Sequence, residues 1–238
     1  MSSDARDSDV GTGGDASGLE TGEYADHLER SRTVWDRWSD WYEMSETDLE
    51  PMRETAMDRL DLRPGDRVLD IGCGPGVNFE RIRSDIGDAG TLVAVDYSPE
   101  MVSDARERID SHGWENVEVR RADATTVDLA EDGQFDAAIA TLSMSVMPDV
   151  RRAVENVHRS LVPGGAFVVF DIRTVPTGPA RLANPLLRRF LRWYANWNRN
   201  GDVLESLAAV FEECEIADTY FAGVTYTAAC RKGRTDDP

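Results

Sequence analysis

Three carboxylates sit at or just beyond the ends of short apolar runs, and the first is followed at once by glycines. Asp70 lies in Val68-Leu69-Asp70-Ile71, ahead of Gly72-Cys73-Gly74-Pro75-Gly76; Asp96 closes Val93-Ala94-Val95-Asp96; Asp123 lies in Arg121-Ala122-Asp123-Ala124. Glycine has no Cβ, so a ligand can approach bare backbone at such a turn. Carboxylates beside it can accept from hydroxyl, amino or ammonium groups. Dinucleotide-binding turns follow G-x-G-x-x-G, whereas the spacing here is G-x-G-x-G, with Val77 where a third glycine would stand. Asp96, 20 positions after Gly76, is placed to accept from two ribose hydroxyls. Taken singly, Asp70 could cap a turn, Asp96 could start a helix and Asp123 could be a solvated loop acid. Three acids at successive strand ends are harder to explain that way.

The elements that must position these residues are legible from periodicity. Strands are expected at Val68–Ile71, Thr91–Asp96, Val117–Arg121, Phe135–Thr141 and Ala166–Ile172, with helices near Pro99–Ile109 and Val150–Leu161. Ser98 before Pro99 reads as a helix N-cap with proline in the first turn. Alternation of strand and helix implies a parallel sheet covered on both faces, with a ligand at the carboxyl ends of its strands. Cys214–Phe221 and Gly223–Arg231 read as an antiparallel hairpin at the sheet edge. The fold class expected is an α/β Rossmann-like three-layer sandwich with a mostly parallel seven-stranded sheet. Upstream, apolar residues from Tyr24 to Tyr42 recur at helical spacing, followed by a second helix near Glu50–Leu60. Residues 1–22 lack apolar content and are expected to be disordered.

The four elements Asp70–Gly76, Val93–Asp96, Arg121–Ala124 and Leu161-Val162-Pro163-Gly164-Gly165, in this order, resemble the class I S-adenosylmethionine-dependent methyltransferases over Val68 to Ile172. The resemblance implies S-adenosylmethionine as cofactor and S-adenosylhomocysteine as product. It implies that Asp70 and the backbone of Gly72, Gly74 and Gly76 hold the methionine end and Asp96 the ribose, with Cys73 and Asn78 also in the cofactor-binding set. Tyr97 and Met101 would flank the adenine, Asp123 and Ala124 would hold its amino edge, and Thr141, Leu142 and Ser143 would border the methionine moiety. The segment from Trp35 to Glu43 resembles the lead-in helix of ubiquinone/menaquinone and phosphatidylethanolamine methyltransferases, with Tyr42 the aromatic expected to close over the cofactor. Residues 23–62 then form a helical lid on a methyltransferase domain spanning 23–238. The readings weighed against this are a cofactor-binding module without turnover and a nicotinamide-dependent oxidoreductase.

Transfer from a sulfonium needs chiefly alignment of the acceptor and exclusion of water. His27, His112 and His158 do not fall at strand ends, whereas Asp171 and Arg173, at the end of the fifth strand, are placed to face an acceptor. The insertion from about Val175 to Asn200 carries Arg181, Arg188, Arg189 and Arg192 among Leu, Phe, Trp and Tyr residues. It is expected to cap the acceptor site and to offer residues 181–197 for peripheral membrane contact. Met144, Val146 and Met147 suggest a small or lipid-like acceptor.

The chain of 238 residues has a net charge of −19, and Lys232 is the sole lysine among 26 basic residues. This composition resembles that of haloarchaeal proteins, whose carboxylate-rich surface stays hydrated in concentrated salt, and it argues against binding nucleic acid, which needs basic surface. Cys73, Cys214 and Cys230 lack the spacing of a metal site or disulfide framework and read as three buried side chains; no metal is expected. The absence of a targeting segment or long apolar run points to a cytoplasmic protein, as either a monomer or a homodimer.

Overall fold

A computed structural model describes residues 21–131, 133–198 and 201–234, with backbone alone at 21 and 38–48. The expected disordered tail therefore lies outside the described residues, except for its last two positions, which begin the first helix.

Seven strands, β1 (Arg67–Ile71), β2 (Thr91–Asp96), β3 (Val117–Arg121), β4 (Phe135–Thr141), β5 (Leu161–Ile172), β6 (Glu213–Tyr220) and β7 (Thr225–Arg231), form one sheet in the order β3-β2-β1-β4-β5-β7-β6. The first five run parallel, and β7 pairs antiparallel with both β5 and β6. Strand order reverses between β1 and β4, which opens a crevice at their carboxyl ends. The helices are α1 (Thr21–Asp58), α2 (Phe79–Ile86), α3 (Pro99–His112), α4 (Val150–Ser160), α5 (Asn184–Ala195) and α6 (Val203–Val210).

The central strands are apolar on both faces because both faces are covered. In β4, Ala138 and Ala140 join one core with Val154, Val157, Phe167 and Phe211, while Ala137 and Ile139 join a second with Ala56, Phe79, Ile82 and Val102. Helix starts are fixed locally: Ser98 Oγ accepts from the Met101 amide ahead of α3, and Asp149 accepts from the Arg152 amide ahead of α4. Gly113 ends α3 in the left-handed conformation, which costs glycine little.

Three expectations are corrected. The two N-terminal helices are one continuous 38-residue helix that passes through Pro51. The fifth strand begins at Leu161 and includes Pro163-Gly164-Gly165, with a register irregularity opposite Phe135/Ala137. Only Cys73 is a free buried thiol. Cys214 and Cys230 face each other across β6 and β7, Cα atoms 4.1 Å apart, as a disulfide; their sequence spacing gave no sign of this because hairpin register sets the pairing.

Candidate active site

The carboxyl ends of β1, β2 and β4 surround a cavity walled by Gly72, Gly74, Asp96, Tyr97, Met101, Asp123, Ala124, Thr141, Leu142 and Ser143, and roofed from α1 by Leu28, Ser31, Arg32 and Trp35. The structure thus brings together ten of the positions singled out from the sequence. Asp96 is fixed by two amides: Gly74 N–H donates to Oδ2 at 2.9 Å and Ser98 N–H to Oδ1 at 2.8 Å. Each oxygen keeps acceptor capacity for a hydroxyl. Burial pushes this carboxyl above its ordinary range against those amides. Asp123 Oδ1 accepts from the Thr125 amide and hydroxyl, and the Tyr24 hydroxyl of α1 donates to Oδ2.

Asp70, Cys73, Gly76 and Asn78 do not border this cavity; they lie behind the turn that does. Asp70 is fully buried, with Oδ2 accepting from Asn78 Nδ2 at 3.1 Å, while the same amide nitrogen reaches Thr141 Oγ1 at 3.2 Å. Asp70 Oδ1 and Asn78 Oδ1 are buried with no donor in reach. Orphaned acceptors of this kind are rare in folded proteins, and they fit a ligand that brings a cationic donor to the turn. The glycines have a packing reason as well: a Cβ on Gly72 would meet Ser143 Cβ at 2.4 Å, and one on Gly76 would meet the Phe79 ring at 2.5 Å. Tyr42, the expected aromatic closure, has its side chain outside the described residues, and Trp35 of the same helix borders the cavity.

A second cavity opens beside the first. Trp35, Thr141, Leu142 and Val146 line both, and Leu49, Arg53, Phe170, Ile172, Phe190, Leu191, Tyr194 and Ala195 complete it. Among the described residues Arg53 is the one formally charged residue in that wall, and its Nε is buried without a hydrogen-bond partner. Leu142, between the cavities, is a non-glycine residue at φ 54, held by its amide on the Phe170 carbonyl at 2.7 Å. Left-handed backbone in a bulky side chain is strained and clusters at functional sites.

Asp171 and Arg173 do not face either cavity. Strand alternation turns Phe170 and Ile172 toward the apolar one and Asp171 to the other face. There Asp171 accepts from the Ser145 amide and hydroxyl and the Ile172 amide, and burial raises its carboxyl to about 6. Arg173 donates to the Gly223 carbonyl and lies over the Tyr226 ring. Sequence reading laid α1 over the cofactor but chose Tyr42 on it, and missed Leu28, Arg32, Trp35 and Arg53 as the residues that line the cavities. The left-handed bend at Leu142 left no trace in composition.

Residues 68–165 match the methyltransferase domain family. The chain is 28% identical over 168 residues to a 2-phytyl-1,4-naphtoquinone methyltransferase of Nostoc sp., covering 70% of this chain and 69% of that protein. It is 30% identical over 166 residues to a phosphatidylethanolamine N-methyltransferase of Cereibacter sphaeroides, covering 68% and 78%. Its fold superimposes on a SAM dependent methyltransferase from Aquifex aeolicus with a TM-score of 0.55 at 18% identity, over 75% of this chain and 88% of that one. The glycine turn, the strand-end carboxylates and these relationships make the chain a member of the class I S-adenosylmethionine-dependent methyltransferases.

Proposed function

We propose that this methyltransferase acts on a lipid-like acceptor that carries an acidic hydroxyl or phosphate near the atom methylated. The observation that carries the reading is the apolar cavity with Arg53 in its wall, joined to the cofactor-side cavity at Thr141, Leu142 and Val146. S-adenosylmethionine supplies a methyl group made electrophilic by its sulfonium. The backbone of Gly72 and Gly74, with Asp70 behind them and its Oδ1 unpaired, would hold the methionine end, Asp96 the ribose, Tyr97 and Met101 the adenine faces, and Asp123 and Ala124 its amino edge. Cys73, Gly76 and Asn78 would support that turn from behind.

The remaining work falls to orientation. Leu142 and Val146 would set the approach of the acceptor, and Trp35 would exclude water from the junction. Among the described residues of the apolar wall there is no Asp, Glu or His, and activation of the acceptor falls to Arg53. A partly buried guanidinium lowers the pKa of an acidic hydroxyl bound against it and favours the anionic nucleophile. The same group pairs with a phosphate. Relatives that methylate a phytyl naphthoquinone or phosphatidylethanolamine support an acceptor with a long apolar tail.

The test supplies methyl-labelled S-adenosylmethionine and three acceptors: a prenylated naphthoquinol, phosphatidylethanolamine and, as a tail-less phenol, catechol. Label is expected in a tailed acceptor. Arg53→Leu is expected to lower kcat/KM for it by about tenfold or more, the scale of one charge-assisted hydrogen bond, with binding of S-adenosylhomocysteine preserved. Transfer to catechol alone, or full activity in Arg53→Leu, would overturn the reading.

A further inference from the structure

Between Asp171 and Asp202 the chain carries six arginines and no acid, within a protein whose net charge is −19. This segment forms a short 3-10 turn, Pro179–Ala183, and then α5. The inner side of α5 is buried at Leu191 and Ala195 and helps to wall the apolar cavity. Its outer side is apolar without being covered: Leu182 is 88% exposed, Leu186 73%, Trp193 71% and Phe190 49%. At roughly 100° per residue Leu186, Phe190 and Trp193 of α5 fall in one sector, Arg189 lies beside it, and Arg192 and then Arg188 follow round the helix toward the buried side at Leu191 and Ala195; Leu182 and Arg181 belong to the turn before α5. Arg188, Arg189 and Arg192 also border, with Arg30 of α1, an open groove in which Glu23 is the single acid.

An exposed apolar stripe of this size marks an interaction surface, and its arginine flank states the charge of the partner. We propose that α5 and the turn before it lie in the headgroup region of an anionic lipid bilayer, with Leu182, Leu186 and Trp193 inserted and Arg189 and Arg192 against lipid phosphates. This is the arrangement of an interfacial amphipathic helix. The chain as a whole carries a net charge of −19, so this arginine-bearing face is the one whose charge favours such a membrane. Phe190 is half exposed on the stripe and also lines the apolar cavity, so the docked enzyme presents the cavity mouth to the bilayer. That last step rests on the acceptor reading above; the docking does not.

Flotation of the full-length protein with vesicles tests this without any methyl transfer. Vesicles of phosphatidylglycerol are compared with vesicles of phosphatidylcholine in moderate and molar KCl, with folding followed by circular dichroism. The wild type is expected to float with phosphatidylglycerol and to stay behind with phosphatidylcholine. Each arginine near the surface contributes about fivefold in partition, so Arg189→Glu with Arg192→Glu is expected to lose about 25-fold or more. Trp193→Ser should weaken flotation without altering the preference for anionic lipid, and all variants should still bind S-adenosylhomocysteine. Equal flotation with both lipids, no flotation of folded wild type, or wild-type flotation of the double arginine variant would overturn the proposal. So would a dimer abolished by Trp193→Ser in a protein that ignores vesicles, which would give this face to a second copy of the chain.

Discussion

Burial pushes the Asp70 carboxyl up to about 7; the Asn78 amide offsets part of this, and Asp96 nearby adds to it. An unfolded aspartate ionises near 3.8, so between about 4 and 7 the ligand-free folded state holds a proton that the unfolded chain lacks. Its stability therefore falls as pH rises through that window and levels off above it. A cationic ligand group needs the ionised form, so affinity should move the other way. Binding of S-adenosylhomocysteine, measured by calorimetry, is expected to strengthen about tenfold from pH 6 to pH 8. Asp70→Asn should bind weakly with a flatter profile, and it should lose the part of the stability slope that belongs to Asp70, leaving those of Asp96 and Asp171, which burial raises in the same direction. A flat wild-type profile would remove Asp70 from ligand binding. At this scale the sequence exposed what sits next to a strand in the chain. Asp70, Asp96 and Asp123 could be seen from the apolar runs around them. Trp35 and Arg53 could not, because an aromatic or an arginine on an amphipathic helix looks like packing or a solvated face until the helix is laid across the site.

The helix that supplies them, α1, is fastened over the cofactor-side cavity by polar contacts rather than by a broad apolar face. Tyr24 donates to Asp123, His27 Nε2 to the Val146 carbonyl at 2.8 Å, and Ser98 Oγ to Asp36 at 2.6 Å; Asn196, just past α5, donates to Ser31 Oγ at 2.8 Å. Elements held by few buried apolar contacts open at lower free energy than the core. Amides from Tyr24 to Trp35 are accordingly expected to exchange faster than those of β1 and β4 in the ligand-free protein, and to slow when S-adenosylhomocysteine binds. Trp35→Ala should erase most of that slowing and reduce kcat/KM by about tenfold, with little change in exchange of the sheet. Hydrogen exchange read by mass spectrometry checks this, and ligand-independent protection of α1 would exclude a lid. Strand and helix order from β1 to β5 was legible because each buried strand is a short apolar run bounded by turn residues. The single long α1 was not, since Pro51 ordinarily argues for a helix break. Nor was the Cys214–Cys230 pairing, which depends on a hairpin register that alternation alone leaves open.

Over the whole molecule 45 acidic residues face 26 basic ones, and the arginines that do pair are overdrawn upon: Arg81 meets Glu54, Asp58 and Asp85 at once. Self-repulsion of this size destabilises the compact state at low ionic strength. At 1 M salt it is screened to within about 3 Å. The midpoint of thermal unfolding is therefore expected to rise by about 10 °C or more between 0.1 M and 2 M KCl, a shift of a few kcal/mol for a chain of this length, as scanning calorimetry can measure. The same screening should weaken attraction between the α5 arginines and anionic lipid, so flotation and thermal stability should respond to salt in opposite directions. Such opposition is a sharper test than either curve alone, because a general loosening of the fold at low salt would lower both together. An unfolding midpoint indifferent to KCl would mean that the acidic surface is not an adaptation to a saline solvent. The contrast between α5 and its acidic surroundings would then be the one part of the charge distribution still requiring a partner.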